Sequence, residues 1–125
     1  MTDIWYPDTV IDGVPVVAAP AEIDINNADG LRSALFRAAA AGPGTLVVDM
    51  TQTQFCDSSG MHALVEAYKS ARAEGREVLL VVPAATVLRV FAITGMDQVI
   101  PNFASLDEAL AEAAATASGA AAGTR

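Results

Sequence analysis

The chain has 125 residues, 53% of them hydrophobic and 18% charged, the balance of one compact domain with a real core rather than of a disordered segment. Its 7 Lys and Arg stand against 15 Asp and Glu, a formal net charge of −8. That charge, with no basic stripe, argues against nucleic acid as a partner. A single cysteine and a single histidine exclude a disulfide framework and a His/Cys metal cluster, so no metal and no cofactor is expected.

The opening "MTDIWYPDTVIDG" has neither the charged nor the apolar region of a signal peptide. The most apolar stretch, Val78 to Ile93, is broken by Pro83 and Arg89 and is too short to span a bilayer. A cytoplasmic protein with no membrane attachment is the expectation.

In chain order, a strand around Thr9 to Ile11 meets Asp12-Gly13, the dipeptide of a tight hairpin turn, and "VPVVAAP" follows. Pro15 and Pro20 suit an edge or the ends of that second strand. From Asn27 the period changes: Leu31, Ala34, Leu35 and Ala38 share one helical face, closed by Gly42-Pro43-Gly44. "TLVVDM" is a buried strand. Met61, Leu64, Val65 and Tyr68 then make a second helical stripe that Gly75 stops.

"EVLLVVP" is the next buried strand, and Val87, Leu88, Phe91 and Ala92, with Ala84, form a third helical face ending at Thr94-Gly95. "QVIP" is a minimal strand. Ser105 with Glu108 is a capping box opening a fourth helix through "LDEALAEAAA", and "SGAAAGTR" is a frayed tail. Phe103 leans to the core, while Trp5 and Tyr6 give no clear side. The order ββαβαβαβα implies crossovers and a mainly parallel sheet, whose functional sites gather at the carboxyl ends of strands.

"FCDSSGM", Phe55 to Met61, sits at such an end. Cys56, beside a strand end, reads as a small buried hydrophobe rather than a reactive thiol. Asp57 or Ser58 can cap the helix, but a cap needs neither both serines nor Gly60 in the first turn, where glycine costs about 1 kcal/mol against alanine. A glycine there suits a close backbone approach. A nucleophilic serine would need a base, and His62, a helical turn further on, has no orienting partner singled out. No phosphate-loop glycine pattern is present, and a receiver-type acceptor at Asp57 lacks its companion acids and lysine. A serine that is itself modified remains: at a helix start the free N–H groups and the dipole tolerate added phosphate, so a surface can be switched without unfolding.

The segment from Thr45 to Leu110, with its D-S-S-G motif, "LLVVP", "ITGMDQVIPNF" and "SLDEAL", resembles the STAS domain of the anti-sigma factor antagonists, and "EIDINNADGLRSAL" resembles that family's first-helix entry. The resemblance implies an α/β fold: a single STAS domain over residues 1–115 with a mainly parallel central sheet, an N-terminal hairpin and about four helices, then a flexible tail over 116–125. It implies a non-enzymatic partner switch in transcription regulation and stress response. Such a protein binds an anti-sigma factor serine kinase and releases a sigma factor. The kinase turns it off by phosphorylating Ser58, with Ser59 a minor alternative, and a metal-dependent serine phosphatase resets it.

On the same resemblance the partner face comprises Asp24, Asp57, Ser58, Ser59, Gly60 and Met61, with Asp57 positioning the serine or contacting the kinase and Gly60 allowing close approach. One departure is "PAEID", Pro20 to Asp24, where the family commonly has a glycine before its "E-L-D" segment. Pro20 and Ala21 stiffen a loop near the partner surface. The alternative is a ligand-sensing STAS module that binds a nucleotide or lipid without kinase control.

Overall fold

The computed structural model describes residues 8–40 and 44–122; Trp5, Tyr6, Gly42 and Pro43 lie outside them. Strands β1 (Asp8–Ile11) and β2 (Val14–Ala18) form the expected hairpin. Its turn residues Asp12 and Gly13 have φ of 54° and 80°. Both central residues of a type I′ turn need positive φ, and the twist of that turn matches the strands it joins. Strands β3 (Glu22–Ile23), β4 (Thr45–Asp49), β5 (Phe55–Cys56), β6 (Glu77–Val81) and β7 (Asn102–Phe103) complete the β structure. The main sheet has the order β1-β2-β4-β6-β7, parallel except at the hairpin, and β3 and β5 pair parallel in a second, two-stranded sheet.

β2 is not an edge strand, because β1 and β4 flank it. Pro15 is tolerated there because pairing with β4 starts only at Val16. Opposite β1, Pro15 faces Val10 one step from the turn, in the pair that exchanges no hydrogen bonds.

Helices α1 (Ala28–Ala40), α2 (Ser58–Ala73), α3 (Ala85–Thr94), α4 (Met96–Val99) and α5 (Leu106–Ala122) surround the sheet. Side-chain alternation along the strands divides the core. Val17, Leu46, Val48, Val78 and Leu80 face α1, α2 and α3, while Val16, Val47, Leu79 and Val81 face Ala109 and Ala113 of α5. Phe103 is half-buried against the α5 side.

Three boundaries differ from expectation. Gln98 and Val99 of the expected "QVIP" strand end the one-turn helix α4, started by Gly95 at φ 80°, and the strand is Asn102–Phe103 instead. The backbone of α5 stays helical to Ala122, past the tail boundary set at 116, as its alanine-rich composition favours. The buried face of α2 is Gly60, Ala63, Leu64, Ala67 and Ala71, with Met61, Val65 and Tyr68 half-buried beside it. Small residues occupy its centre because α1 packs there.

Candidate functional site

The loop between β4 and β5 is fastened to the segment before β3 by side chains whose partners are backbone carbonyls. Thr53, fully buried, donates its hydroxyl to Pro20 O at 2.8 Å, and Gln52 Nε2 donates to Ala19 O at 2.9 Å. Gln54 N donates to Ala21 O at 2.7 Å, after which β3 and β5 run in register and Asp57 N donates to Ile23 O at 3.0 Å. Carbonyls of the "PAEID" approach are thereby occupied inside the protein. They hold the start of α2 beyond the carboxyl end of the main sheet, beside α1.

Asp57 is the N-cap of α2: its Oδ1 accepts from Gly60 N at 3.1 Å, and its carbonyl accepts from Met61 N at 3.0 Å. Ser58 is then the first helical residue and Ser59 the second. Neither has an acceptor one turn back for its N–H. Ser58 is exposed, Ser59 half-buried, and neither hydroxyl makes a hydrogen bond among the described residues.

Gly60 is buried, and the approach it permits is internal. A Cβ there would lie 2.6 Å from Ile23 Cγ2 and 2.7 Å from Cys56 Sγ. The glycine lets α2 sit down on the two-stranded sheet; the expected close approach is made by the protein's own side chains. Cys56 beneath it is free and buried. Burial, and secondarily the charge of Asp57, push its thiol up from an ordinary 9.0 to about 12, which makes it inert at neutral pH.

Ser58 stands on a ridge between two open grooves. The polar groove, about 660 Å³, lies between α1 and α2 and takes in Ile25, Asp29, Arg32, Ser59, His62 and Glu66. The apolar groove, about 330 Å³, lies between α2 and α4 and is walled by Met61, Val65, Thr94, Met96 and Val99. Ser58 and His62 line both. Ile25 is 76% exposed and Val99 44%, so apolar surface flanks the serine on either side. Phe55, 51% exposed, immediately precedes the motif's Cys56.

A model of the STAS domain matches residues 7–109. The chain belongs to the STAS domain family. A candidate anti-anti-sigma factor of Mycobacterium tuberculosis is 30% identical over 102 residues, which span 80% of this chain and 69% of the relative. The crystal structure of an anti-sigma factor antagonist from Mycobacterium paratuberculosis has a TM-score of 0.73 at 31% identity, covering 87% of this chain and 92% of the other. A candidate anti-sigma factor antagonist from Thermotoga maritima shares the fold, with a TM-score of 0.77 at 24% identity over 86% of this chain and 93% of that one.

Of the residues singled out in the sequence, this STAS domain brings Ser58, Ser59 and Met61 to the grooves, with Asp57 and Gly60 holding the turn beneath them. Asp24 lines neither groove. Its Oδ1 accepts from Asn26 N at 2.9 Å, and its N–H donates to Asn27 Oδ1 at 2.9 Å, so it shapes the turn into α1. Sequence reasoning missed Asp29, Arg32, Glu66, Thr94, Met96 and Val99. The spacing of Ser58, His62 and Glu66 along one helix row was a usable signal for Glu66. Nothing local points from Arg32 to the motif, since α1 reaches it only through tertiary packing.

His62 makes no hydrogen bond to either serine among the described residues. Its Nε2 lies 3.0 Å from Glu66 Oε2, and its side chain is 72% exposed. Among the described residues no group of three His, Cys, Asp or Glu could hold a metal ion, and no helix is long and apolar enough to cross a membrane.

Proposed function

We propose that this STAS domain is an anti-sigma factor antagonist, a cytoplasmic regulator of transcription in a stress response, that docks its partner through the two grooves and is switched at Ser58. The observation that carries the reading is the state of the Ser58 hydroxyl. Asp57 does the capping, so the serine at the crest of the ridge has no internal duty and is open to an incoming enzyme. The names of the relatives at 30% and 31% identity support the partner class.

The partner is an anti-sigma factor with serine kinase activity. While bound, this protein occupies it and its sigma factor goes free. The kinase then moves the γ-phosphoryl group of ATP to Ser58 Oγ: the new O–P bond replaces the bond to ADP, the hydroxyl proton leaves to a base, and ADP departs. The product adds ≈ −1.5 to −2 charge at the centre of the docking face. Helix α2 accepts that charge at its positive end, so the fold survives while the interface pays for a buried anion. A metal-dependent serine phosphatase hydrolyses the ester and restores the hydroxyl.

Ser58 suits this role better than Ser59, which is half-buried and lines only the polar groove. Both grooves are open rather than enclosed, which favours a protein partner over a small ligand. Intact-mass measurement and peptide mapping after incubation with MgATP and the anti-sigma kinase test the reading. One phosphate on Ser58 is expected. An unmodified Ser58, with the kinase active on another substrate, would overturn it.

A further inference from the structure

Beside Ser58, the polar groove holds a cluster of ionisable side chains from two helices. Ser58, His62 and Glu66 follow one another four residues apart on α2, forming a single row in which neighbouring Cβ atoms are about 5–6 Å apart. His62 Nε2 meets Glu66 Oε2 at 3.0 Å, and Arg32 Nη1 approaches the other oxygen of that carboxylate at 3.6 Å from α1. All four line the polar groove. The side chains of Arg32 and His62 are 38% and 72% exposed, so both can reorient without disturbing the core.

We infer that Arg32 and His62 form a receiver for the phosphate on Ser58, exchanging Glu66 for the phosphoryl oxygens once these are in place. The inference rests on the reading of Ser58 as the modified residue. Phosphate offers three acceptor oxygens and up to twice the charge of a carboxylate, and a guanidinium pairs with it through two parallel N–H donors. His62, one turn along the same row, completes the contact from the helix side. The other titratable side chains lining the polar groove or capping the helix are carboxylates: Asp29 on α1, Asp57 at the cap and Glu66 on α2. The apolar groove contributes no further charge. Without Arg32 and His62 the phosphate would face those carboxylates alone.

The exchange has a second effect. Glu66, stripped of both partners, becomes an uncompensated acid on the wall of the groove. The modified face then carries the phosphate and a released carboxylate together, which widens the region that repels an acidic or closely packed partner.

The test places phosphoserine at position 58 of the full chain by suppressing an amber codon, so no kinase is involved. The phosphorus NMR shift is then followed against pH in the otherwise native chain and in the Arg32→Gln/His62→Gln variant, with circular dichroism confirming that each is folded. The second phosphate ionisation should fall about 1 pH unit lower in the native background than in the variant, as expected for an anion beside opposite charge. Glu66→Gln, which removes the competitor, should leave the midpoint at or below the native one. Equal midpoints in the first pair, or a raised midpoint in Glu66→Gln, would overturn the receiver while leaving the docking reading intact. A kinase that ignores Ser58 would overturn the docking reading while leaving this titration unaffected.

Discussion

Asp57 Oδ1 accepts the backbone N–H of Gly60 at 3.1 Å, and this bond caps α2 at the residue before the exposed Ser58, which begins the helix. Cap and acceptor are thus separate residues. Asp57→Ala should cost about 1 kcal/mol, the usual loss for an N-cap, whereas Asp57→Asn should keep most of it. Urea unfolding of the two variants against the native chain checks this; equal losses would mean that the carboxylate charge, not the capping bond, carries the stability.

Ser58→Ala should change stability by no more than about 0.5 kcal/mol, because the side chain is exposed and makes no hydrogen bond. Ser58→Asp should fold as well as the native chain, since an acid in the first helical turn gains about 0.3–1 kcal/mol from the dipole. The two should separate in partner binding, with Ala retaining it and Asp weakening it. Calorimetry on both variants, with melting curves alongside, reads the two properties independently.

Gly60→Ala should destabilise by about 1–3 kcal/mol even though alanine is the better helix former by about 1 kcal/mol. The added methyl meets Ile23 Cγ2 at 2.6 Å, and a β-branched side chain in a strand has little freedom to turn away. Denaturant melts would show the loss, and a stabilised variant would contradict the packing described for this turn.

Cys56 gives a prediction in pH. Its folded value is pushed up to about 12, above the ordinary 9.0, so between those values the unfolded chain releases a proton that the folded chain keeps. Stability therefore falls as pH rises through that window, by up to about 1.4 kcal/mol per unit for one proton. The native chain should lose stability more steeply than Cys56→Ala above pH 9. At pH 8 the native thiol should resist iodoacetamide until denaturant is added.

What the sequence disclosed followed the reach of its local signals. The hairpin turn was legible in Asp12-Gly13 because both positions need positive φ, and α5 in Ser105, whose Oγ accepts from Glu108 N at 3.2 Å. The face of α1 was legible because Leu31, Ala34, Leu35 and Ala38 bury together as their spacing requires. The two-residue strands β3 and β5 were not, since a pair that short carries no alternation and exists only through a partner far along the chain. With them went the internal role of Gly60 and the turn role of Asp24. The place of Ser58 at the start of a helix was legible from its motif, and the groove walls from α1 and α4 were not, because packing rather than sequence neighbourhood places Arg32 and Val99 beside it.

The central claim is that one phosphate on Ser58 switches docking while leaving the fold alone. The most direct measurement is the dissociation constant of the anti-sigma partner for the chain with and without phosphoserine at 58, with circular dichroism recorded on both. The account predicts identical spectra and binding weakened at least about 30-fold, the low end of the roughly 2–5 kcal/mol lost when the partner leaves an interface charge unpaired. Equal dissociation constants for the two forms would contradict it.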